Sequence, residues 1–214
     1  EIDEQITSAG AVIELLRGPN GIAEITDRFG LSYAFKGRAE EQSLALKDVQ
    51  YGALVGLATI YIILAWVFGS YSQPLVIMAI IPFGAIGAIV GHLVMGFNLT
   101  MLSLIALLGL SGILVNDSII LVSVINERRK AGQSLTDAIT TGTEDRLRAV
   151  LLTSLTTCGG LLPLVFETSL QARFMIPMAI TIVFGLIVAT FLVLLVIPSL
   201  ISILEDAREV TRTT

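Results

Sequence analysis

The sequence predicts a mainly α-helical, polytopic membrane bundle of five transmembrane helices, preceded by the end of an α/β subdomain. Three observations predict it. Of the 214 residues, 54% are hydrophobic and only 14% charged, whereas soluble domains carry roughly 25% charged residues. From Val49 to Asn126 there is no Lys, no Arg and a single acid, Asp117. Residues 1–50, by contrast, hold nine of the 18 acids and five of the 13 Lys and Arg, so the character of the chain changes near Asp48.

The polar N-terminal part reads as follows. Ile2, Ile6, Ala9, Val12, Ile13 and Leu16 recur at spacings of three and four, the pattern of an amphipathic helix. The turn signal "RGPNG" follows at 17–21, then a second short helix over 22–28. In "LSYAFKG", 31–37, Leu31, Tyr33 and Phe35 alternate with Ser32, Ala34 and Lys36, the period of a strand. About fifty residues in this pattern do not bury a self-sufficient core, so residues 1–48 are expected to be the C-terminal piece of a larger domain. The chain opens on Glu1 and shows no signal peptide before residue 50, which leads us to expect a piece of a longer protein.

The transmembrane domain is expected over 49–204, with spans near 52–70, 74–95, 99–125, 147–166 and 174–204. Each supplies the ~20 residues that cross a hydrocarbon core of ~30 Å. A large buried α-domain is the alternative, but five near-uncharged spans would leave it no polar face for water. The loop at 126–146 and the residues just beyond it hold Arg128, Arg129, Lys130, Arg146 and Arg148, while the short links at 69–73 and 96–98 hold no Lys or Arg. The positive-inside rule puts that loop in the cytoplasm. Residues 1–48 then lie outside, and the tail at 205–214 inside. Within the loop, Ser134 with Asp137 three residues on predicts the start of a short cytoplasmic helix. Gly84, Gly87 and Gly91 line one face of the second span, a seam for close helix packing.

A net charge of −5 argues against nucleic acid as a partner, since a phosphate binder needs a basic face. One cysteine, Cys158, excludes an intramolecular disulfide and reads as a small apolar packing residue. No metal-ligand cluster and no phosphate loop appears in the sequence, so no metal, no cofactor and no ATP-driven chemistry is expected of it.

That leaves Asp117, about two thirds of the way along the third span. A charged Asp at the centre of a membrane helix costs roughly 2.5–3.5 kcal/mol on insertion scales, and intramembrane acids mark functional sites by default. Burial disfavours the ionised carboxylate; a group poised in this way can load and release a proton. The alternative is an acid that only glues helices together during assembly. Gly109, Gly112, Asn116 and Ser123 form a small and polar stripe beside it, and the fourth span offers Thr153, Thr157 and Gly160 on one face, with Ser154 and Thr156 nearby. "GLSG" at 109–112 has the G-x-S-G form of intramembrane serine proteases. A nucleophilic Ser111 needs a base, however, and the sole histidine, His92, lies near the outer end of the preceding span and reads as a packing or interfacial residue. No catalytic residues are assigned.

"SYSQPLVIMAIIPFGAIGAIVGH", "GILVNDSIILVSVINERRKAG", "RLRAVLLTSLTT", "LPLVF" and "IPMAITIVFGLIVATFLVLLVIPSL", in that order, resemble the C-terminal half of resistance–nodulation–cell division (RND) efflux permeases of the acriflavine-resistance, multidrug-type branch. The resemblance spans residues 31–204. It implies a proton-driven antiporter, not an enzyme, with twelve membrane helices in two pseudo-symmetric halves. It further implies a homotrimer in the bacterial inner membrane that exports hydrophobic and amphiphilic compounds. A periplasmic adaptor and an outer-membrane channel would complete the pump, and the N-terminal half of the same permease would pack against this chain. The five spans would be the eighth to twelfth helices, and residues 1–48 the end of a periplasmic porter domain. The family's proton relay lies between the fourth helix, with its acidic pair, and the tenth. Arg146 and Thr153 align with a functional Arg and Thr, and Asn116 with a Lys of well-studied members. The relay expected here is therefore Asp117, Asn116, Thr153 and Arg146, with Ser118, Ser123 and Thr157 as supporting polar groups. The loss of the Lys changes the charge pattern. Whether Asp117 itself carries the proton, or serves as a polar partner to the acids of the other half, stays open at this point.

Overall fold

The computed structural model describes residues 38–213 and, before them, residues 14–16, 18 and 22. The expected strand over 31–37 and most of the expected amphipathic helix lie outside the described residues. The chain divides into two compact units, residues 1–51 and 52–214. In the first, residues 14–16 and 22 are helical, and a long helix, α1, begins at Arg38 and ends at Phe68.

The second unit is a helical bundle. After α1 come α2 (Ser72–Met78), α3 (Ile81–Met95), α4 (Met101–Lys130), α5 (Leu135–Val165), a 3-10 turn (Ala172–Phe174) and α6 (Ile176–Thr213). No strand occurs among the described residues. Five stretches are long and apolar enough to cross a membrane: Leu44–Phe68, Ser72–Met95, Met101–Lys130, Leu135–Val165 and Ile176–Glu205. The polytopic helical membrane bundle expected from composition is thus what the chain forms.

Two differences from the sequence reading have physical causes. The second span is not one helix. Pro82, second residue of α3, has no N–H to donate back to the preceding turn, and the chain kinks through Ala79 and Ile80. Conversely, the short helix expected in the loop after Asn126 does not stand apart from the fourth span. Ser134 does cap it, accepting a hydrogen bond from the Asp137 amide at 3.2 Å, but the helix runs unbroken from Leu135 to Val165. Its buried residues show why. Ala138, Gly142, Val150, Ser154 and Cys158 fall every four residues (or twice four) along one ridge, so a single continuous face packs inward. Gly142 lets that ridge approach α4, since a Cβ there would lie 3.1 Å from Ile125 Cγ1.

α6 is the hub, packed against α3, α4 and α5. Its buried residues Ile176, Ile180, Val183, Leu186, Ala189, Val193 and Ile197 recur every three or four positions, as an amphipathic stripe requires. The seam of Gly84, Gly87 and Gly91 meets α6 directly. A Cβ on Gly87 would sit 2.8 Å from the Phe184 carbonyl oxygen, and one on Gly91 2.4 Å from the Phe184 ring. From the α6 side, a Cβ on Gly185 would lie 3.0 Å from the Gly84 carbonyl oxygen. α3 ends at Gly96, whose φ of 70° is left-handed; only a residue without Cβ adopts this at little cost, and the Phe97 amide closes the turn on the His92 carbonyl at 3.1 Å. α1 is different. It reaches the core through Leu64, Ile60 and Phe68, but otherwise lies largely uncovered, with Leu54, Ile62, Trp66 and Val67 exposed.

Candidate functional site

α4 has 30 residues, about 45 Å at the ~1.5 Å rise of an α-helix, and Asp117 falls near its middle. The buried positions of α4 include Ala106, Leu110, Leu114, Asp117, Leu121 and Ile125. Their spacing of three and four defines one inward ridge, and Asp117 occupies a place on it that leucines hold above and below. Its exposure is only 7%. The neighbouring residue faces elsewhere. Asn116 shares the exposed side of α4 with Ile105, Gly109, Gly112 and Ser123, at spacings of four, three, four and seven. The "ND" pair therefore presents its amide outward and its carboxyl group to the core.

Arg146 stands on the corresponding ridge of α5. It fills the gap in the four-residue series between Gly142 and Val150 and is half-buried. Burial is the main influence on the Asp117 carboxyl group, and the Arg146 charge a lesser one that acts through space. No direct ion pair joins them among the described residues; the two ion pairs there are Arg128–Asp145 and Arg129–Glu205. The Arg146 Nε is buried and has no hydrogen-bond partner. A buried donor without an acceptor calls for explanation. The structure thus brings Asp117 and Arg146 into one field inside the bundle and sets Asn116 on its outer side.

The remaining candidates divide. The Ser118 hydroxyl is fully buried and donates to the Leu114 carbonyl at 2.8 Å, so it is turned into the core and away from the stripe of Asn116. Thr153 is exposed and donates to Ala149 O at 3.0 Å, and Thr157 donates to Thr153 O at 2.8 Å. Both hydroxyls are thus bonded within their own helix. The cross-helix hydroxyl bond is one the sequence reading did not single out: Ser154 Oγ and Thr190 Oγ1 lie 2.6 Å apart, buried between α5 and α6.

Sequence reasoning also missed the setting of His92. Its ring is 4% exposed, with Nδ1 3.0 Å from Ala88 O and Nε2 3.0 Å from Ser103 Oγ. A carbonyl only accepts, so Nδ1 carries the hydrogen, and in the neutral ring Nε2 accepts from Ser103. Ser103 and Thr100 form a reciprocal capping box at the start of α4. The signal was there in "TMLS", 100–103, a hydroxyl variant of the S/T-x-x-E form. Ser111 has no such neighbour. Its hydroxyl donates to Leu108 O at 2.6 Å, and both ring nitrogens of His92 are engaged elsewhere, so no base is positioned to activate it.

Cations and acids gather at the α4–α5 end. Arg128 pairs with Asp145 and donates to Thr141 Oγ1 at 2.8 Å. Arg129 meets Glu205 of α6 at 2.9 Å. Gln73 and Asn126 exchange amide hydrogen bonds at 3.2 Å in both directions, tying the first turn of α2 to α4.

With this geometry in view, comparison with known proteins is informative. The model of the AcrB/AcrD/AcrF family matches residues 22–205. The chain is 33% identical over 158 residues to the swarming motility protein SwrC of Bacillus subtilis (strain 168), covering 73% of this chain and 15% of that protein. It is 33% identical over 166 residues to the multidrug resistance protein MdtC of Serratia proteamaculans (strain 568), covering 77% and 16%. It is 29% identical over 185 residues to the cobalt-zinc-cadmium resistance protein CzcA of Cupriavidus metallidurans, covering 83% and 17%. Among solved structures, a crystal form of a heavy metal efflux pump superposes with a TM-score of 0.73 at 26% identity, covering 86% of this chain and 19% of that one. The chain spans about a sixth of the length of the curated relatives it matches. By the family match over most of its length, together with these relatives and the five membrane-length helices, the chain belongs to the AcrB/AcrD/AcrF family of RND efflux permeases.

Proposed function

We propose that this chain supplies second-half membrane helices of a proton-driven efflux permease that exports hydrophobic or amphiphilic compounds, and that Asp117 is its proton-carrying group. The observation that carries the reading is the burial of this one intramembrane carboxyl group on the core ridge of α4, in the field of Arg146 on α5. By the resemblance, Asn116 stands where well-studied members carry a Lys. Here the positive charge comes instead from Arg146, and the acid it answers lies in the same half of the permease. Protonation of Asp117 removes the negative charge that Arg146 faces. A half-buried guanidinium that loses its counter-charge favours a different packing of α4 on α5, and that preference is what couples proton occupancy to conformation. One charge moved across 100 mV is worth about 2.3 kcal/mol, comparable to such a two-state bias.

On this reading the loop between α4 and α5 and the C-terminal tail are cytoplasmic, residues 1–48 periplasmic, and the permease a homotrimer in the inner membrane working with an adaptor and an outer-membrane channel. Asn116, Gly109, Gly112 and Thr153 face helices of the first half. The names of relatives point both to drugs and to metal cations; amphiphiles are what the family resemblance of this chain implies.

The test is Asp117→Asn in the full-length permease, with proton-coupled export and trimer assembly measured side by side. Lost export from intact trimers is expected. Normal export overturns the reading, and lost assembly that Asp117→Glu restores without restoring export assigns Asp117 to helix packing instead. Ser111→Ala is expected to leave transport unchanged.

A further inference from the structure

The sparse packing of α1 leaves a cavity of about 660 Å³ between its last turn and α4. It lies at the end of the bundle that carries the α4–α5 loop. Its depth in the bilayer is marked by neighbouring aromatic residues. Trp66 and Tyr71 are 85% and 79% exposed, and the Tyr61 hydroxyl donates to Tyr71 O at 3.3 Å. Exposed Trp and Tyr of this kind sit at the level of lipid headgroups.

The lining has two characters. Val67 and Phe68 of α1 form an apolar wall, while Ser123, Glu127 and Lys130 of α4 and Gln73 of α2 form a polar one. Arg129 and Glu205 also border it, but they are paired with each other. Glu127 and Lys130 are exposed and belong to neither ion pair described above. The cavity therefore offers one cation and one anion at headgroup depth, beside a strip that suits hydrocarbon. With Arg129 and Glu205 answering each other, a purely anionic ligand at Lys130 would leave Glu127 unanswered beside it. A ligand with its own phosphate and ammonium would meet both signs in a complementary way.

We infer that this cavity binds a zwitterionic phospholipid of the phosphoethanolamine class, with its phosphate at Lys130, its ammonium at Glu127 and the start of its acyl chains on Val67 and Phe68. The inference rests on the five helices crossing a bilayer and not on proton coupling, so the behaviour of Asp117→Asn neither supports nor damages it.

The experiment is native mass spectrometry of the full-length permease, delipidated and titrated in detergent with phosphatidylethanolamine, with phosphatidylglycerol, and with free phosphoethanolamine. Phosphatidylethanolamine is expected to bind in preference to phosphatidylglycerol, and the free headgroup to leave no adduct at the same concentration. Lys130→Ala should weaken both lipids about fivefold, the equivalent of one cation near a membrane surface. Glu127→Gln should weaken phosphatidylethanolamine alone and so erase the preference. Both side chains are exposed, and Arg148→Ala, outside the cavity, serves as the control for general charge loss. Equal binding of the two lipids, binding of the free headgroup as strong as that of the lipid, absence of any adduct, or variants that bind like the parent would each overturn the inference.

Discussion

Two glycine-lined faces of this bundle look alike in sequence and behave oppositely in structure. Gly84, Gly87 and Gly91 on α3, with Gly185 on α6, are closed: an added Cβ would meet a leucine side chain, the Phe184 ring or backbone atoms at 3.0 Å or less. Gly109 and Gly112 on α4, with Gly159 and Gly160 on α5, are open, with nothing within 4 Å of the same hypothetical atom. The first face completes the bundle from within. The second runs beside Asn116 and Thr153, and its small and polar surface is what lipid would least favour. Asp117, buried next to the exposed Asn116, lies at the edge of this open face.

Substitutions of the same kind should therefore separate the two faces. The largest effect is expected at the closed one. Gly91→Leu or Gly185→Leu forces side-chain atoms into the Phe184 ring or Leu110, and overpacking of this kind costs about 1–3 kcal/mol or more; thermal unfolding of the detergent-purified permease should show it as a lowered midpoint. At the open face, Gly112→Ala should stabilise α4 by up to about 1 kcal/mol through helix propensity. Gly112→Leu should impair export and lower the unfolding midpoint less than Gly91→Leu does, since no atom of this chain lies within 4 Å of its Cβ position. Equal export in Gly112→Leu and the parent would mean that the open face meets lipid after all.

A smaller effect is expected at Arg128. Arg128→Ala removes the pair with Asp145 and the bond to Thr141; at a largely solvated site this is worth about 0.2–1 kcal/mol and should shrink further at high salt. The smallest concerns the turn after α5. There the backbone N–H groups of Ser169 and Thr168 both donate to Glu167 Oε1 at 3.1 Å and hold its carboxyl below the ordinary Glu range. A depressed value in the folded state means stability that is present above the unfolded value and lost as pH falls through the folded one. Amide exchange at Ser169 and Thr168 should therefore stay protected through the ordinary Glu range and accelerate only below it.

Much of this arrangement was legible in the sequence because membrane spans are written in composition. Near-uncharged runs long enough to cross a bilayer gave five spans, and Pro and Gly marked their kinks and close contacts. Asp117 announced itself by isolation. What could not be read was the direction each polar side chain faces. The stripe of Gly109, Gly112 and Asn116 sits one position from the buried ridge of Leu110 and Leu114, and a rotation of one residue exchanges inside for outside. The resemblance grouped Arg146 with Asp117, but how α5 slides against α4 to place two residues 29 positions apart was not written in the sequence; Gly142, where a Cβ would lie 3.1 Å from Ile125 Cγ1, marks the close approach of the two helices. The continuous α5 was likewise hidden, because residues 135–146 are polar enough to pass for a loop helix, and only the four-residue ridge that begins at Ala138 joins them to the span.

If Asp117 carries the proton, its carboxyl group changes protonation state during turnover. Infrared difference spectroscopy on the reconstituted full-length permease, stepping pH across the range in which it transports, tests this most directly. A protonated-carboxyl band that rises and falls with pH in the parent and is missing in Asp117→Asn is the predicted result. The same band persisting unchanged in Asp117→Asn would place the titrating acid elsewhere and contradict the account.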